Sequence, residues 1–238
     1  MKARVMAEHS WKTALIVGAG GGLSASLARL LAREGVRIAV AARDGAKLAQ
    51  LAGEIGGSAL TVDASDADQV AALFDQVTET LGEPDVVVYN ASSQVRGPLL
   101  ELDPAAVAAA LAVTAFGGFL VGQQAARRML PRGRGAILFT GASASVKGYA
   151  RSAPFAMGKF ALRGLAQSMA RELAPQGIHV AHFVIDGAIR SATRPDAADR
   201  PDSTLDPDAI AQTYLDILRQ PRNAWTWEVE LRPWVETF

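Results

Sequence analysis

Ala14-Leu15-Ile16-Val17-Gly18-Ala19-Gly20-Gly21-Gly22-Leu23-Ser24 is the stretch from which the fold can be read. An apolar run that stops at glycine has the pattern of a short strand buried on both faces. Over residues 23–33, Leu27, Leu30 and Leu31 recur at helical spacing, and Gly35 marks the end of that helix. A strand, a glycine turn and a helix in that order set unpaired helix N–H groups beside a backbone that can be approached closely. Such a junction attracts a pyrophosphate. Read as G-x-G-x-x-A, the turn supplies Gly20, Gly22 and Ala25; read as G-x-x-x-G-x-S, it supplies Gly18 and Gly22, with Ser24 where a third glycine would stand. Gly18, Gly20, Gly21, Gly22 and Leu23 are therefore the first candidate contacts to a dinucleotide.

The same alternation continues outward. Further short runs read as strands at 36–42, 58–62, 85–89, 136–140 and 179–185, and 228–231 is taken as a seventh strand. Helical periodicity fills 46–55, 67–81, 104–130 and 154–174, and Asp44 stands where a cap for the first of these is expected. Strands alternating with helices predict an α/β, doubly wound parallel sheet of about seven strands with helices on both faces. No linker or repeat divides the chain, so residues 1–238 are expected to form one Rossmann-type domain. Residues 190–207, rich in Pro, Asp and Arg, are expected to form a mobile loop.

Composition narrows the function. Lys plus Arg and Asp plus Glu both number 24, giving no net charge, which argues against a nucleic-acid partner. Cysteine is absent, which excludes a disulfide framework, a thiolate metal site and a cysteine nucleophile. His179 and His182 lie three residues apart on one expected strand, hence on opposite faces, and are read as structural; no metal is expected. Residues 1–12, with Glu8 and His9, lack the apolar centre of a signal peptide, and no uninterrupted apolar stretch reads as membrane-spanning. A cytoplasmic protein without a membrane partner is expected.

The second strand ends in Val40-Ala41-Ala42, and Arg43 follows. NAD binders commonly place an acid at this point to hold the ribose 2′-OH, whereas a guanidinium suits a 2′-phosphate. Arg43 thus favours NADP(H) over NAD(H), while Asp44 leaves open an acid in a shifted register.

Together these residues resemble the short-chain dehydrogenase/reductase family over nearly the whole chain. The glycine turn is similar to the family's TGxxxGxG signature, with Val17 for the threonine and Ser24 for the last glycine. Tyr89-Asn90-Ala91-Ser92 resembles its NNAG motif, and Asp186-Gly187 stands where it has Pro-Gly. The resemblance implies that Asp63, with its neighbour Ala64, meets the adenine, that Asn90, Ala91 and Ser92 line the cofactor, and that Gly187 and Ile189 approach the nicotinamide. It also implies a homodimer or homotetramer.

The family's chemistry rests on Asn, Ser, Tyr and Lys, the last two as YxxxK. Here the motif reads Phe155-Ala156-Met157-Gly158-Lys159. The resemblance gives Lys159 the nicotinamide ribose to hold, but a phenyl ring at Phe155 has no proton to donate. Counting by the family's spacing, the serine falls on Ala142, beside Ser143 and near Ser145, and the asparagine on Thr114. Losing a general acid typically costs about 10²–10⁴ in rate. The pattern is similar to a divergent subgroup with Phe at the tyrosine position. Ser143, Tyr149 and Asp186 are the candidate substitutes.

Arg190, Arg194 and Arg200 could greet an anionic substrate, but the interspersed Asp196, Asp199 and Asp202 favour a solvated loop. Trp225, Trp227 and Trp234 suit either core or interface. The expected function is an NAD(P)(H)-binding oxidoreductase of unknown small-molecule substrate with an atypical active site. The alternatives are a catalytically impaired dinucleotide binder acting as sensor or assembly subunit, and a nucleotide or S-adenosylmethionine binder of another Rossmann family.

Overall fold

The computed structural model describes residues 11–237, and the reading of residues 1–10 lies outside the described residues. In chain order the elements are β1 (Thr13–Val17), α1 (Leu23–Arg33), β2 (Arg37–Ala42), α2 (Ala49–Ile55), β3 (Ser58–Thr61), α3 (Ala67–Leu81), β4 (Val86–Tyr89) and α4 (Pro104–Leu111). There follow α5 (Gly117–Met129), β5 (Gly135–Thr140), α6 (Ala153–Leu173), β6 (Ile178–Ile185), α7 (Pro207–Leu218) and β7 (Glu228–Leu231).

The seven strands form one parallel sheet in the order β3-β2-β1-β4-β5-β6-β7. Chain direction across the sheet reverses between β1 and β4, where Val17 is in register with Tyr89. That reversal opens a crevice at the carboxyl ends of the strands, the place where such sheets take ligands. All residues of β1, β4, β5 and β6 are buried, as expected of strands covered on both faces. Their side chains divide with a period of two. Ala14, Ile16, Val88 and Phe183 pack with Leu27 and Leu31 of α1 and Tyr214 of α7. Leu15, Val17, Val87 and Phe139 pack on the opposite face with Phe74 of α3, Val121 of α5 and Leu162 of α6.

Local chemistry sets several helix starts. Asp66 accepts from the N–H groups of Asp68 and Gln69 at 3.0 Å each, and Asp103, followed by Pro104, caps Ala105 and Ala106. Asp44 does not cap as expected. The chain enters through a short 3₁₀ turn, Gly45–Leu48, and the Asp44 carboxylate pairs with Lys47 at 3.0 Å instead.

Two further features depart from the sequence reading. The expected 104–130 helix contains a π-helical turn, Ala112–Phe116, where the Tyr89 hydroxyl donates to the Val113 carbonyl. A widened turn leaves such a carbonyl seeking a partner. The whole helical run Pro104–Arg132 is also, by length and composition, apolar enough to cross a membrane, which corrects the statement that no stretch is. Its apolar content packs Val121, Ala125 and Met129 against the sheet. Finally α7, which follows the loop, had no counterpart in the periodicity reading; Asp206 caps it and Ile210, Tyr214 and Leu218 pack on the α1 side.

Candidate active site

The crevice begins at the glycine turn. Gly18 has φ +83°, and a Cβ there would lie 2.2 Å from the Ala91 nitrogen, so only glycine fits. Its N–H and that of Ala19 both donate to the Ala41 carbonyl, at 2.9 and 3.0 Å, bending the chain off β1 towards β2. Asn90 continues the ladder through its N–H to the Val17 carbonyl at 2.8 Å, and its side-chain amide donates to the Ser24 hydroxyl at 2.7 Å. Ser24 is thus buried against Asn90. Gly20, Gly21 and Gly22 differ from Gly18: a Cβ at any of them would meet nothing within 4 Å. They leave an open cradle at the amino end of α1.

Two cavities adjoin this cradle. One, of about 450 Å³, is lined by Gly20, Gly21, Arg43, Asp44, Lys47 and the Arg29–Glu54 ion pair, among others. Arg43 is exposed and makes no hydrogen bond or ion pair with another described residue. The other, of about 230 Å³, is lined by Gly18, Arg43, Asp63, Ala64, Asn90, Ala91 and Ser92. Asp63 accepts from the Ser65 N–H and hydroxyl at 2.9 and 2.6 Å, and these bonds, helped by the Arg43 charge, hold its carboxyl below the usual range. Gly22 and Leu23 line neither cavity; Gly22 precedes α1 at its cap, and the Leu23 side chain joins the core.

Beyond β4 and β5 lies a third cavity of about 410 Å³, lined by Arg96, Ser143, Tyr149, Arg151, Ser152 and Phe155, among others. Phe155 is nearly buried, and one turn later the Lys159 Nζ stands 5.8 Å from its ring centre. Lys159 is buried and donates to the Thr140 carbonyl at 2.7 Å; burial pushes its amine down to about 8. Thr114 is buried in the π turn, its hydroxyl accepting from the Ser93 N–H at 3.0 Å. The Ala142 N–H donates to the Ser145 hydroxyl at 3.1 Å, and that oxygen lies 3.4 Å from His182 Nε2. Burial, opposed in part by Glu228, pushes the His182 imidazole down to about 4. The neutral ring therefore donates from Nδ1 to Glu228 at 3.1 Å and accepts at Nε2. Burial alone would raise Glu228; Arg163, bound through two bonds of 2.6 and 2.7 Å, overrides it and leaves the carboxyl below its usual range.

Asp186 is brought to the end of β6 but is not free. It is buried, and its carboxylate pairs with Lys147 at 2.8 Å and Arg232 at 3.2 Å. Gly187, at φ +152°, packs so closely on Pro233 that a Cβ would lie 2.8 Å from it. Ile189 bridges to Leu205, and neither Gly187 nor Ile189 lines the three cavities. Arg190 pairs with Asp196 and Asp206 inside its own loop. His179 bonds the Thr226 carbonyl at 2.9 Å and stacks on Trp225, a structural arrangement. Among the described residues no His, Asp and Glu cluster could hold a metal.

Lys47, Arg96, Arg151 and Ser152 line these cavities without having been singled out in the sequence. Lys47 had a usable signal, four residues beyond Arg43 at the start of a helical stretch. The other three come from loops that only the folded chain brings together.

Residues 12–201 match the short chain dehydrogenase family. Over 174 residues the chain is 34% identical to a cis-4-hydroxycyclohexanecarboxylate dehydrogenase of Sinomonas cyclohexanicum, covering 71% of this chain and 70% of that protein. A crystal structure of a short-chain dehydrogenase from Rhodopseudomonas palustris superposes with a TM-score of 0.81 at 37% identity, covering 94% of this chain and 99% of that one. An alcohol dehydrogenase from the archaeon Thermococcus sibiricus, solved with 5-hydroxy-NADP, gives a TM-score of 0.83 at 26% identity, covering 95% and 98%. With the strand order, the glycine cradle and Lys159 at the far end of one crevice, these likenesses agree: the chain belongs to the short-chain dehydrogenase/reductase family of NAD(P)-dependent oxidoreductases.

Proposed function

We propose that the chain is an NADP(H)-preferring oxidoreductase acting on a small alcohol or carbonyl compound without the family's tyrosine acid. The observation that carries the cofactor preference is Arg43, unpaired at the cavity beside the glycine cradle, with Lys47, paired to Asp44, lining the same cavity. Two cations there suit a 2′-phosphate, and the likeness to a protein solved with 5-hydroxy-NADP supports the same reading.

The residues present fit a dinucleotide, because Gly20, Gly21 and Gly22 leave open the space that a pyrophosphate needs. Gly18 and Leu23 shape that cradle, Asp63 and Ala64 line the adenine end, and Asn90, Ala91 and Ser92 line the passage onward. Lys159 holds the nicotinamide ribose after turning from the Thr140 carbonyl, and Gly187 and Ile189 shape the nicotinamide end. When bound, the cofactor supplies or accepts the hydride.

Phe155 walls the substrate cavity without a proton to move. Ser143 and Tyr149 line the same cavity and are the candidates to hold the proton at the substrate oxygen; Tyr149 is 49% exposed, and its hydroxyl bonds no other described residue. Asp186, held by two cations, positions the Lys147 loop instead. The exposed Leu99, Leu100, Phe116, Phe119, Met157 and Phe160 support a homodimer or homotetramer, since a monomer rarely leaves so many large apolar side chains in water.

The test is a Phe155→Tyr variant assayed with NADPH on a panel of carbonyl compounds beside the wild type. Turnover by the wild type that is lost in Tyr149→Phe or Ser143→Ala supports a substituted acid. Turnover appearing only in Phe155→Tyr, by about 10²-fold or more, supports the second reading, a dinucleotide binder that is catalytically impaired.

A further inference from the structure

We propose that the cavity beside Phe155 selects an anionic, carboxylate-bearing molecule through Arg96 and Arg151. The proposal rests on reading this cavity as the substrate end of the site. At about 410 Å³ it has the size of a small-molecule pocket, and no Asp or Glu lines it. Neither guanidinium makes a hydrogen bond or ion pair with another described residue. Both arginines are exposed at the cavity mouth, and where other arginines meet a carboxylate they pair with it, as Arg163 does with Glu228, Arg132 with Asp85, and Arg190 with Asp196 and Asp206. Two guanidinia without a counter-charge among the residues lining one cavity fit an anion from outside.

The pair is assembled deliberately by the backbone. The Gly97 N–H donates to the Arg151 carbonyl at 3.0 Å, tying the loop after β4 to the loop before α6. Arg151 has φ +63°, a left-handed conformation that costs a non-glycine residue about 1 kcal/mol or more. Ser152, next to it, lines the same cavity, and its hydroxyl bonds no other described residue, so it is available to a ligand there. A carboxylate between the arginines could accept from Ser152 as well, with its apolar body against Phe155 and Tyr149.

The test compares binding of cyclohexanecarboxylate and its neutral counterpart, cyclohexanecarboxamide, by ligand-observed NMR. It uses the wild type, Arg96→Gln and Arg151→Gly, the last keeping the left-handed backbone without the charge. The expected result is a preference of about tenfold for the carboxylate in the wild type, weakened by added salt and mostly lost in each variant. Equal affinity for the two probes, no binding of either at the solubility limit, or a preference that survives in both variants would overturn the proposal. NADPH titration of the same samples separates the two readings. Carboxylate preference without NADPH binding removes the proposed oxidoreductase function alone, and NADPH binding without carboxylate preference removes this inference alone.

Discussion

At the β1–β4 end of the strand tips, Gly20, Gly21 and Gly22 face open space and Arg43 has no hydrogen-bond partner. At the β5–β6 end, by contrast, Lys159 is bonded to Thr140, Thr114 to Ser93, Ser145 to Ala142, and Asp186 to Lys147 and Arg232. The first end keeps its donors available, as a site for a charged ligand must. The second has closed most of its polar groups on itself, so that among the described residues lining its cavity Ser143, Tyr149, Ser152 and two arginines are left to meet a substrate. Cofactor binding and catalysis therefore draw on separately built regions, and one can persist where the other has diverged.

The comparison is broken most severely at Gly18. Gly18→Ala sets a Cβ 2.2 Å from the Ala91 backbone and requires an alanine at φ +83°, so at least about 3 kcal/mol of stability and all NADPH binding should be lost. Thermal melting and NADPH fluorescence read both. Next is Lys159→Met at the other end. The folded amine titrates near 8 against an ordinary 10.5, so between those values the unfolded chain holds more protons and wild-type stability rises with pH. Relative to Lys159→Met, the wild type should gain up to about 3 kcal/mol from pH 8 to 10.5 in denaturant titrations. A difference independent of pH would show the amine is not buried in charged form below pH 8.

Arg43→Ala is expected to weaken NADPH about tenfold or more while leaving NADH unchanged, by calorimetric titration. Equal losses for both would remove the 2′-phosphate role. The smallest effect on stability is expected from Gly21→Ala, whose Cβ meets nothing within 4 Å: a melting change worth less than about 1 kcal/mol, with clearly weaker NADPH binding. Gly18 and Gly21, three residues apart, should thus separate folding from binding.

Much of this was legible from local pattern. The central strands appeared as apolar runs, and α3 spans the residues its periodicity marked, because strands covered on both faces and amphipathic helices leave direct traces in sequence. The cofactor end was legible for the same reason, since the turn Gly18–Leu23 begins, and Arg43, Asp63 and Asn90 sit, within two residues of a strand's end. The π turn was not, because it answers the Tyr89 hydroxyl, which arrives from another strand. Nor was Asp44, whose capping role yields to an ion pair with Lys47.

The sequence alone determined the layered α/β order, the glycine turn and the identity of residue 155, all properties of neighbours along the chain. Which polar groups are already bonded was decided in three dimensions. Lys159 meets a carbonyl from β5, Asp186 a lysine from the loop after β5 and an arginine beyond β7, and Arg151 is tied to the loop carrying Arg96. A hydrogen bond depends on distance and direction between groups that the chain sets far apart, and no spacing along one strand or helix encodes it.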